Sequence, residues 1–593
     1  MAFTESTIHY ILLTALLVIT ISLFVQRFKP TLVFGWTTLL LVVVGIMPMD
    51  ILLSSLSNKS LLTIFLLIFI TSALRKHFNL LGLMDKLFRS ISSPRRFLIA
   101  MTSSVAALSS VVNNTPIVAL MIPYVYDWSR KRDLSPSRFL IPLSYAATLG
   151  GTITVIGTST NLVLNGLLEA NTLPVLGFGD FLIPGLIVTC LGVLYLSLFG
   201  HRLLADRKDV LQDFKSNRRE YIVETVLHAN SDKVGKSVAD AGLRNLDGVF
   251  LVEIYRRGKL ISPVTPEEQL EAGDMLYFAG EVDEIVDLLK GENGFEIAKR
   301  EKFATTDVLE VVEVLIPITS DLAGKKVRDT NFRERYDAAI VAIHRDGRRL
   351  GGRIGDVELE FGDLLLLTTG ARFKSEIQSS KNLYTVSFME KIEGNGKPGK
   401  IFVGIGALLG IAGMFAGFLD LFSFLLIILV LLASFGFFSA QDLRKDVNSD
   451  LLVILVSAVA LGTTLIHTGT AAWISDNMVG LLEGASPLAI LISLMLLTVI
   501  LTSFVTNVAA VAVAFPIVAA IVSESGFDGT PFYLALAYGA SASFLTPVSY
   551  QTNLMVYGPG GYKSSDFMRV GVPLTIIYLV SIVAYLATRY QIL

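Results

Sequence analysis

Residues Ser110–Pro116 read Ser-Val-Val-Asn-Asn-Thr-Pro, and Ser503–Ala509 read Ser-Phe-Val-Thr-Asn-Val-Ala. Both lie within strongly apolar stretches. In each, a proline stands nine positions past the central asparagine, Asn114 to Pro123 and Asn507 to Pro516. A second polar interruption follows each one: Gly157-Thr158-Ser159-Thr160-Asn161 in the first half, and Thr546-Pro547 through Thr552-Asn553 in the second. Breaking a helix strands backbone N–H and C=O groups, which lipid tolerates only where they line a cavity or are buried in protein. One asparagine in an apolar helix can equally serve as a helix–helix hydrogen-bond donor. Four breaks in two ordered pairs exceed that need, and paired breaks in two halves point to the binding site of a transporter.

Composition agrees with this reading. Of 593 residues, 52% are hydrophobic, and the mean hydropathy is +0.62. Of the 49 Lys and Arg and 51 Asp and Glu, 66 fall between residues 201 and 400, which divides the chain into membrane, soluble and membrane thirds. A net charge of -2 offers nothing to a nucleic acid. The single cysteine, Cys190, excludes an internal disulfide and any cluster of thiolate metal ligands. The first apolar run, Ile8 to Val25, has no basic segment before it and Gln26-Arg27-Phe28-Lys29 after it, so a retained spanning helix is expected rather than a cleaved leader.

Spanning runs are expected at 8–25, 31–48, 60–77 and 182–200, and again at 400–418, 420–440, 450–468 and 568–588. Residues 97–128 and 486–523 each form two short apolar arms meeting at an asparagine, and 138–168 and 531–556 are interrupted stretches. Positive charge at Gln26–Lys29, Arg75 to Arg96, Arg130 to Arg138, Arg444-Lys445 and Lys563 to Arg569 is expected on the cytoplasmic side. The segment 97–128 then leaves and re-enters the cytoplasm as a hairpin. The segment 486–523 enters from outside, where Glu483, Glu524 and Asp528 flank it. The expected fold is therefore a polytopic α-helical membrane protein, an inverted repeat with two re-entrant hairpins and interrupted helices. Its halves are 1–200 and 397–593, its location is the inner (plasma) membrane, and both termini lie outside.

The central insert repeats itself. Val234-Gly235-Lys236-Ser237-Val238 is answered by Ala323-Gly324-Lys325-Lys326-Val327, each followed by a β-rich run and an Arg-containing turn. The repeats close on Gly273-Asp274 and Gly362-Asp363 before a strand, which fits two small α/β modules at 206–294 and 301–382 in the cytoplasm. The turns Arg256-Arg257-Gly258 and Arg345-Asp346-Gly347 read as solvated hairpin tips. No Gly-x-Gly-x-x-Gly follows a strand, so no Rossmann nucleotide site is indicated.

Unwound carbonyls and half-helix C-termini suit a small hard cation, and half-helix N-termini suit an anion. Asn114, Thr115, Thr158, Thr506 and Asn507 add neutral donors and acceptors. No Asp or Glu occurs at the breaks, which favours sodium over proton coupling.

These residues resemble the divalent anion/sodium symporters of the wider ion transporter superfamily. That family carries Ser-Asn-Thr at two hairpin tips, matched by Asn113-Asn114-Thr115 and Thr506-Asn507-Val508, and Gly-Thr-Pro-type turns, matched by Gly157-Thr158-Ser159 and Thr546-Pro547. The resemblance implies an elevator-type homodimeric symporter. It implies one sodium near Ser109, Asn113, Asn114 and Gly157, and another near Thr502, Val505, Asn507 and Leu545. The anion then lies between Asn114, Thr115 and Thr158 on one side and Thr506, Asn507 and Pro547 on the other. Asn113, Thr506 and Val508 depart from the motif, and the hydroxyl lost at Val508 leaves a smaller half-site. The insert resembles two TrkA-C modules, found at the same place in relatives similar to bacterial and algal sulfate transporters, which shifts the expected substrate from C4-dicarboxylates or citrate to sulfate. The modules imply a small-molecule or nucleotide ligand, or a purely dimerising role. A sodium/proton or arsenite-type exchanger and a ligand-gated channel are the alternatives, although no Thr-Val-Gly-Tyr-Gly filter is present. No Ser/His/Asp set, metal cluster or Walker loop indicates an enzyme.

Overall fold

The computed structural model describes residues 4–25, 30–77, 80–204, 206–207, 222–243, 249–257, 259–280, 295–297, 311–317, 320–345, 348–351, 354–370, 372–380, 382–386, 402–406, 409–410, 413, 418–437, 449–474, 477 and 486–592. Gln26–Lys29, Arg444-Lys445, Glu483, Gly258, Asp346-Gly347 and much of the expected module boundaries lie outside these residues.

The first half is a run of apolar helices: α1 (Glu5–Val25), α2 (Pro30–Val43), α3 (Met49–Leu56), α4 (Lys59–His77), α5 (Leu80–Phe88), α6 (Pro94–Ser109), α7 (Asn114–Arg130), α8 (Ser137–Gly151), α9 (Ser159–Ala170) and α10 (Phe178–Tyr195). The expected run 31–48 stops early, at Val43, where Gly45 turns the chain with φ 81°. The polar breaks fall where the sequence places them. α6 opens on Ser93 with Pro94 in its first turn, ends at Ser110, and the chain restarts at Asn114 behind Asn113. At 16 and 17 residues, α6 and α7 rise only about 25 Å each, short of a typical bilayer core.

The second half follows the same order among its described helices: α11 (Leu421–Ser434), α12 (Ser449–His467), α13 (Pro487–Phe504), α14 (Asn507–Ser525), α15 (Thr530–Ser541), α16 (Gln551–Tyr557) and α17 (Ser564–Arg589). Ser486 caps α13 through the Ala489 N–H, and Thr506 caps α14 through the Ala509 N–H. Among the described residues five helical segments are long and apolar enough to cross a membrane: Glu5–Ser22, Met49–Thr71, Phe178–Gly200, Pro487–Phe504 and Ser564–Arg589. Large apolar side chains such as Trp36, Val43, Val430, Ile576 and Val580 face outward from the bundle, as lipid contact requires.

The halves are interlocked by exchanged tyrosines. Tyr145 on α8 donates to the Phe544 carbonyl at 2.5 Å, and Tyr538 on α15 donates to the Phe181 carbonyl at 2.9 Å. Both rings are fully buried, where an unbonded hydroxyl costs free energy comparable to a lost hydrogen bond. Close helix contact sets the same region: a Cβ on Gly150 of α8 would sit 2.2 Å from the Ala106 carbonyl oxygen of α6.

The insert holds two five-stranded antiparallel sheets. The first contains β1 (Ile222–Leu227), β2 (Val249–Arg256), β3 (Lys259–Ile261), β4 (Met275–Gly280) and β5 (Phe295–Ile297), in the order β3-β2-β4-β1-β5. The second contains β6 (Val311–Leu315), β7 (Ala338–Arg345), β8 (Arg348–Arg349), β9 (Leu364–Thr369) and β10 (Tyr384–Thr385), in the order β10-β6-β9-β7-β8. Read from the other edge, the second order repeats the first strand for strand, and a β-bulge recurs at Leu251/Glu253 and Ile340/Ala342.

In the Arg-containing turns, Arg257 is solvated as expected, 85% exposed, but Arg256 and Arg345 are drawn into their modules. Arg256 forks onto Asp274 with two bonds of 2.8 Å, and Arg345 forks onto Asp363 at 2.7 and 2.8 Å. The Arg256 guanidinium is held above its ordinary value first by its hydrogen bonds to Asp274. Each arginine therefore ties its hairpin to the Gly-Asp turn that closes its own module.

Alternation along the strands gives each sheet two faces. Leu365 and Leu367 join the core of the second module, while Leu364 and Leu366 belong to the large cluster shared with Val252, Met275 and Tyr277 of the first module and with the helices. Arg333 joins the modules by donating to the Val264 and Leu251 carbonyls at 2.9 and 3.2 Å. The insert meets the helices through Arg130 to Glu313 at 2.8 Å and Arg207 to Asp566 at 2.6 Å. A Cβ on Gly558 would lie 2.2 Å from the Gly362 carbonyl oxygen, so the second module sits directly on the turn after α16.

Candidate functional site

The breaks are built on one hydrogen-bond plan, used twice. Ser109, ending α6, donates to the Ala147 carbonyl at 2.8 Å; Thr502, near the end of α13, donates to the Ala540 carbonyl at 2.9 Å; both bonds span 38 residues. Five residues past each hydroxyl, Asn114 and Asn507 place their amides against it. The Thr154 hydroxyl donates to the Ser110 carbonyl, as the Thr546 hydroxyl donates to the Ser503 carbonyl. These two threonines then accept from Gly157 N–H at 3.0 Å and Ser549 N–H at 3.2 Å. Seven residues on, Asn161 and Asn553 return amide N–H bonds to the Thr154 and Thr546 carbonyls at 3.1 and 3.2 Å. The plan assigns Gly157 to Ser549, Thr158 to Tyr550 and Ser159 to Gln551. Thr158 (φ -137°, ψ 141°) and Tyr550 (φ -148°, ψ 144°) precede α9 and α16 in matching extended conformations.

Asn114 is 1% exposed, and its amide has two ends with different surroundings. One end is 2.8 Å from the Tyr550 hydroxyl. The other faces the Ser109 hydroxyl, the Ala147 carbonyl at 3.1 Å and the Gly157 carbonyl at 3.2 Å. With its nitrogen inward, the amide donates to these oxygens. With its carbonyl inward, that oxygen stands beside the Ser109 hydroxyl and the Ala147 and Gly157 carbonyls, a group of neutral oxygens of the kind a hard cation uses. The second half repeats the hydroxyl, the asparagine and the first carbonyl but not the fourth member: the Asn507 carbonyl oxygen lies 3.1 Å from the Thr502 hydroxyl, with the Ala540 carbonyl beside it, and 2.9 Å from the Ser543 hydroxyl, which stands in place of the Gly157 carbonyl. All the side chains in both clusters are uncharged.

The remaining residues singled out in the sequence are distributed around these clusters. Thr158 is buried, and its side chain accepts from the Thr160 N–H, while the Tyr550 hydroxyl bonds Asn114. Thr115 on α7 is 3.4 Å from the Gln551 amide oxygen. Asn113 and Thr506 stand at the N-caps of α7 and α14. Val505 is buried in a separate apolar cluster with α1 and α2, Leu545 is partly buried against the main core, and Pro547 is buried in the loop before α16. Asn114, Thr115, Thr158, Ser109 and Gly157 are thus brought together, and Thr502 joins Asn507. Sequence reading missed Ala147, Ala540, Ser543, Ser549, Tyr550 and Gln551. The signal was available: aligning Thr154 with Thr546 and Asn161 with Asn553 puts Tyr550 opposite Thr158.

An apolar bundle in two like-built halves, each burying a polar helix break at mid-bundle, is the build of a multi-pass membrane transporter. A model of the citrate transporter family matches residues 11–321 and 407–592, and a TrkA-C domain model matches residues 311–371. An uncharacterized transporter of Synechocystis is 30% identical over 91% of this chain and 91% of its own length. A putative sulfur deprivation response regulator of Chlamydomonas reinhardtii is 32% identical over 80% of this chain and 83% of its own. Sodium/sulfate cotransporter 2 of the same alga is 32% identical over 55% of this chain and 39% of its own. The chain belongs to the citrate transporter family, within the divalent anion/sodium symporter group that its motifs resemble, and carries a TrkA-C domain; it is a transporter and not an enzyme.

Proposed function

We propose that the chain is a sodium-coupled symporter of a divalent oxyanion, with sulfate the favoured substrate. One observation carries this reading: two oxygen clusters that share three of four members, Ser109/Asn114/Ala147 with Gly157 and Thr502/Asn507/Ala540 with Ser543, built from neutral hydroxyls, amides and main-chain carbonyls. Such sets suit sodium, which needs hard oxygen donors and no proton-binding carboxylate. Asn113 is read as a further member of the first sodium site, and Val505 and Leu545 as further members of the second. The N-terminal ends of the α7, α14 and α9 dipoles suit an anion between Asn114, Thr115, Thr158, Thr506, Asn507 and Pro547. With no Lys or Arg there, bound sodium supplies the positive charge, which makes binding of the two solutes cooperative.

The breaks are read as the tips of two re-entrant hairpins in halves of opposite orientation, which move as a body past a dimer scaffold in elevator fashion. Both termini lie outside, and the modules at 206–294 and 301–382 lie in the cytoplasm as regulatory elements. Relatives named sodium/sulfate cotransporters support sulfate. The family model's description as a citrate transporter supports a dicarboxylate or citrate symporter as the second reading. Purified protein in liposomes separates them: labelled sulfate uptake should require an inward sodium gradient, and Asn114→Ala or Asn507→Ala should abolish it without loss of dimers. Sulfate uptake indifferent to sodium rejects the coupling, and sodium-driven succinate uptake without sulfate uptake favours the second reading.

A further inference from the structure

The shared plan of the two halves breaks at one position inside the site. Where the first half has Thr158, the second has Tyr550, in the same extended conformation before a helix of the same role. The larger side chain does not stay in its own half. Its hydroxyl reaches Asn114 at 2.8 Å, 436 residues away in sequence. The next residue, Gln551, stands where the first half has Ser159, and its amide oxygen is 3.4 Å from the Thr115 hydroxyl. Two side chains of the second half therefore touch Asn114 and Thr115, two of the first-half residues assigned to the anion.

We propose that Tyr550 is the specificity-determining residue of the transport site, with Gln551 beside it, and that the pair selects a compact tetrahedral dianion over an extended dicarboxylate. The inference rests on the symport reading above and names the substrate class of the same site. The phenol carries the side chain across to the Asn114 tip, into space that the shorter threonine would leave open. A dicarboxylate needs that length for its second charged end; an inorganic oxyanion does not. The hydroxyl is also a donor, held in place by Asn114 until a substrate oxygen takes it over. A charged acceptor strengthens that bond, so removing the hydroxyl weakens binding of the oxyanion.

Three variants in the full-length protein, Tyr550→Phe, Tyr550→Thr and Gln551→Ala, test this in liposomes under a fixed sodium gradient. Labelled sulfate uptake is competed with unlabelled sulfate, succinate and citrate. Tyr550→Phe keeps the ring and should raise the KM for sulfate about tenfold, with the sodium dependence unchanged. Tyr550→Thr, which restores the first-half residue, should increase inhibition by succinate relative to sulfate by a similar factor, and Gln551→Ala should move the ratio the same way. Melting temperature and elution profile identify any variant that fails to fold, and Tyr550→Phe alone then decides. A wild-type protein that ignores sulfate overturns the symport reading. A wild-type protein that takes sulfate, with variants that keep its KM and its substrate ratio, overturns the role of Tyr550 alone.

Discussion

Ser109 and Thr502 end their helices with a hydroxyl bonded to a main-chain carbonyl 38 residues on, and each also faces a buried asparagine. A hydroxyl that bridges an asparagine and a carbonyl is well placed to be a cation ligand. Ser109→Ala and Thr502→Ala should therefore raise the sodium concentration for half-maximal uptake several-fold, and leave sulfate KM near wild type at saturating sodium. Thr502→Ser keeps the oxygen and should be nearly silent. Ser543, bonded to Asn507 at 2.9 Å, belongs to the same set, so Ser543→Ala should shift the sodium dependence in the same direction. Sodium titrations of initial uptake rates check all four. Asn114 and Asn507 are legible as break residues because each interrupts an apolar run. Ser543 is not, because Ser541-Ala542-Ser543 reads as an ordinary small-residue segment until the chain folds back onto Asn507.

At the scale of elements, α7 and α16 each run from the site to the second module. α7 begins at Asn114 and ends at Arg130, which pairs at 2.8 Å with Glu313, a fully buried carboxylate on β6. The Arg130 guanidinium also lies 4.7 Å from the centre of the Tyr126 ring, and the Tyr126 hydroxyl donates to the Pro559 carbonyl. Arg130→Ala removes the cation from a buried pair and should cost about 3 kcal/mol, since the carboxylate remains desolvated. Adding Glu313→Gln should recover part of that loss, a non-additivity that thermal melting of the single and double variants reads directly. Helix ends elsewhere behave more simply. Asp420 caps α11 through the Phe422 and Ser423 N–H groups, and its carboxyl is lowered to about 2, first by the Ser423 side chain and then by Lys59. A lowered folded value means that the cap contributes fully above the ordinary value of 3.8 and is lost as pH falls towards about 2. The melting-temperature gap between wild type and Asp420→Ala should therefore be constant at neutral pH and close under acid. The helix starts were legible from Ser, Thr, Asp and Pro at their first positions. The early end of α2 was not, because Val44-Gly45-Ile46 is as apolar as the helix before it and only Gly45's positive φ turns the chain.

For the whole molecule, the insert is not a pendant domain. Its two sheets turn apolar faces towards one another and onto the helices, and Arg130, Arg207 and Gly558 fix it to both halves. Replacing residues 206–394 with a short linker should therefore change the uptake rate as well as lower the melting temperature. An unchanged rate would leave the modules a purely supporting role. Composition alone determined the three-part division of the chain, the paired breaks and the duplication of the insert, because each is a local pattern of charge, apolar run or turn residue. Tertiary structure alone decided that Arg256 answers Asp274, that Glu313 holds Arg130 and that Tyr550 crosses to Asn114. Those contacts join residues 18, 183 and 436 positions apart, and no periodicity carries information over such distances. They exist only because the interlocked halves and the docked modules bring these side chains to places where an unmet hydrogen bond or charge is costly.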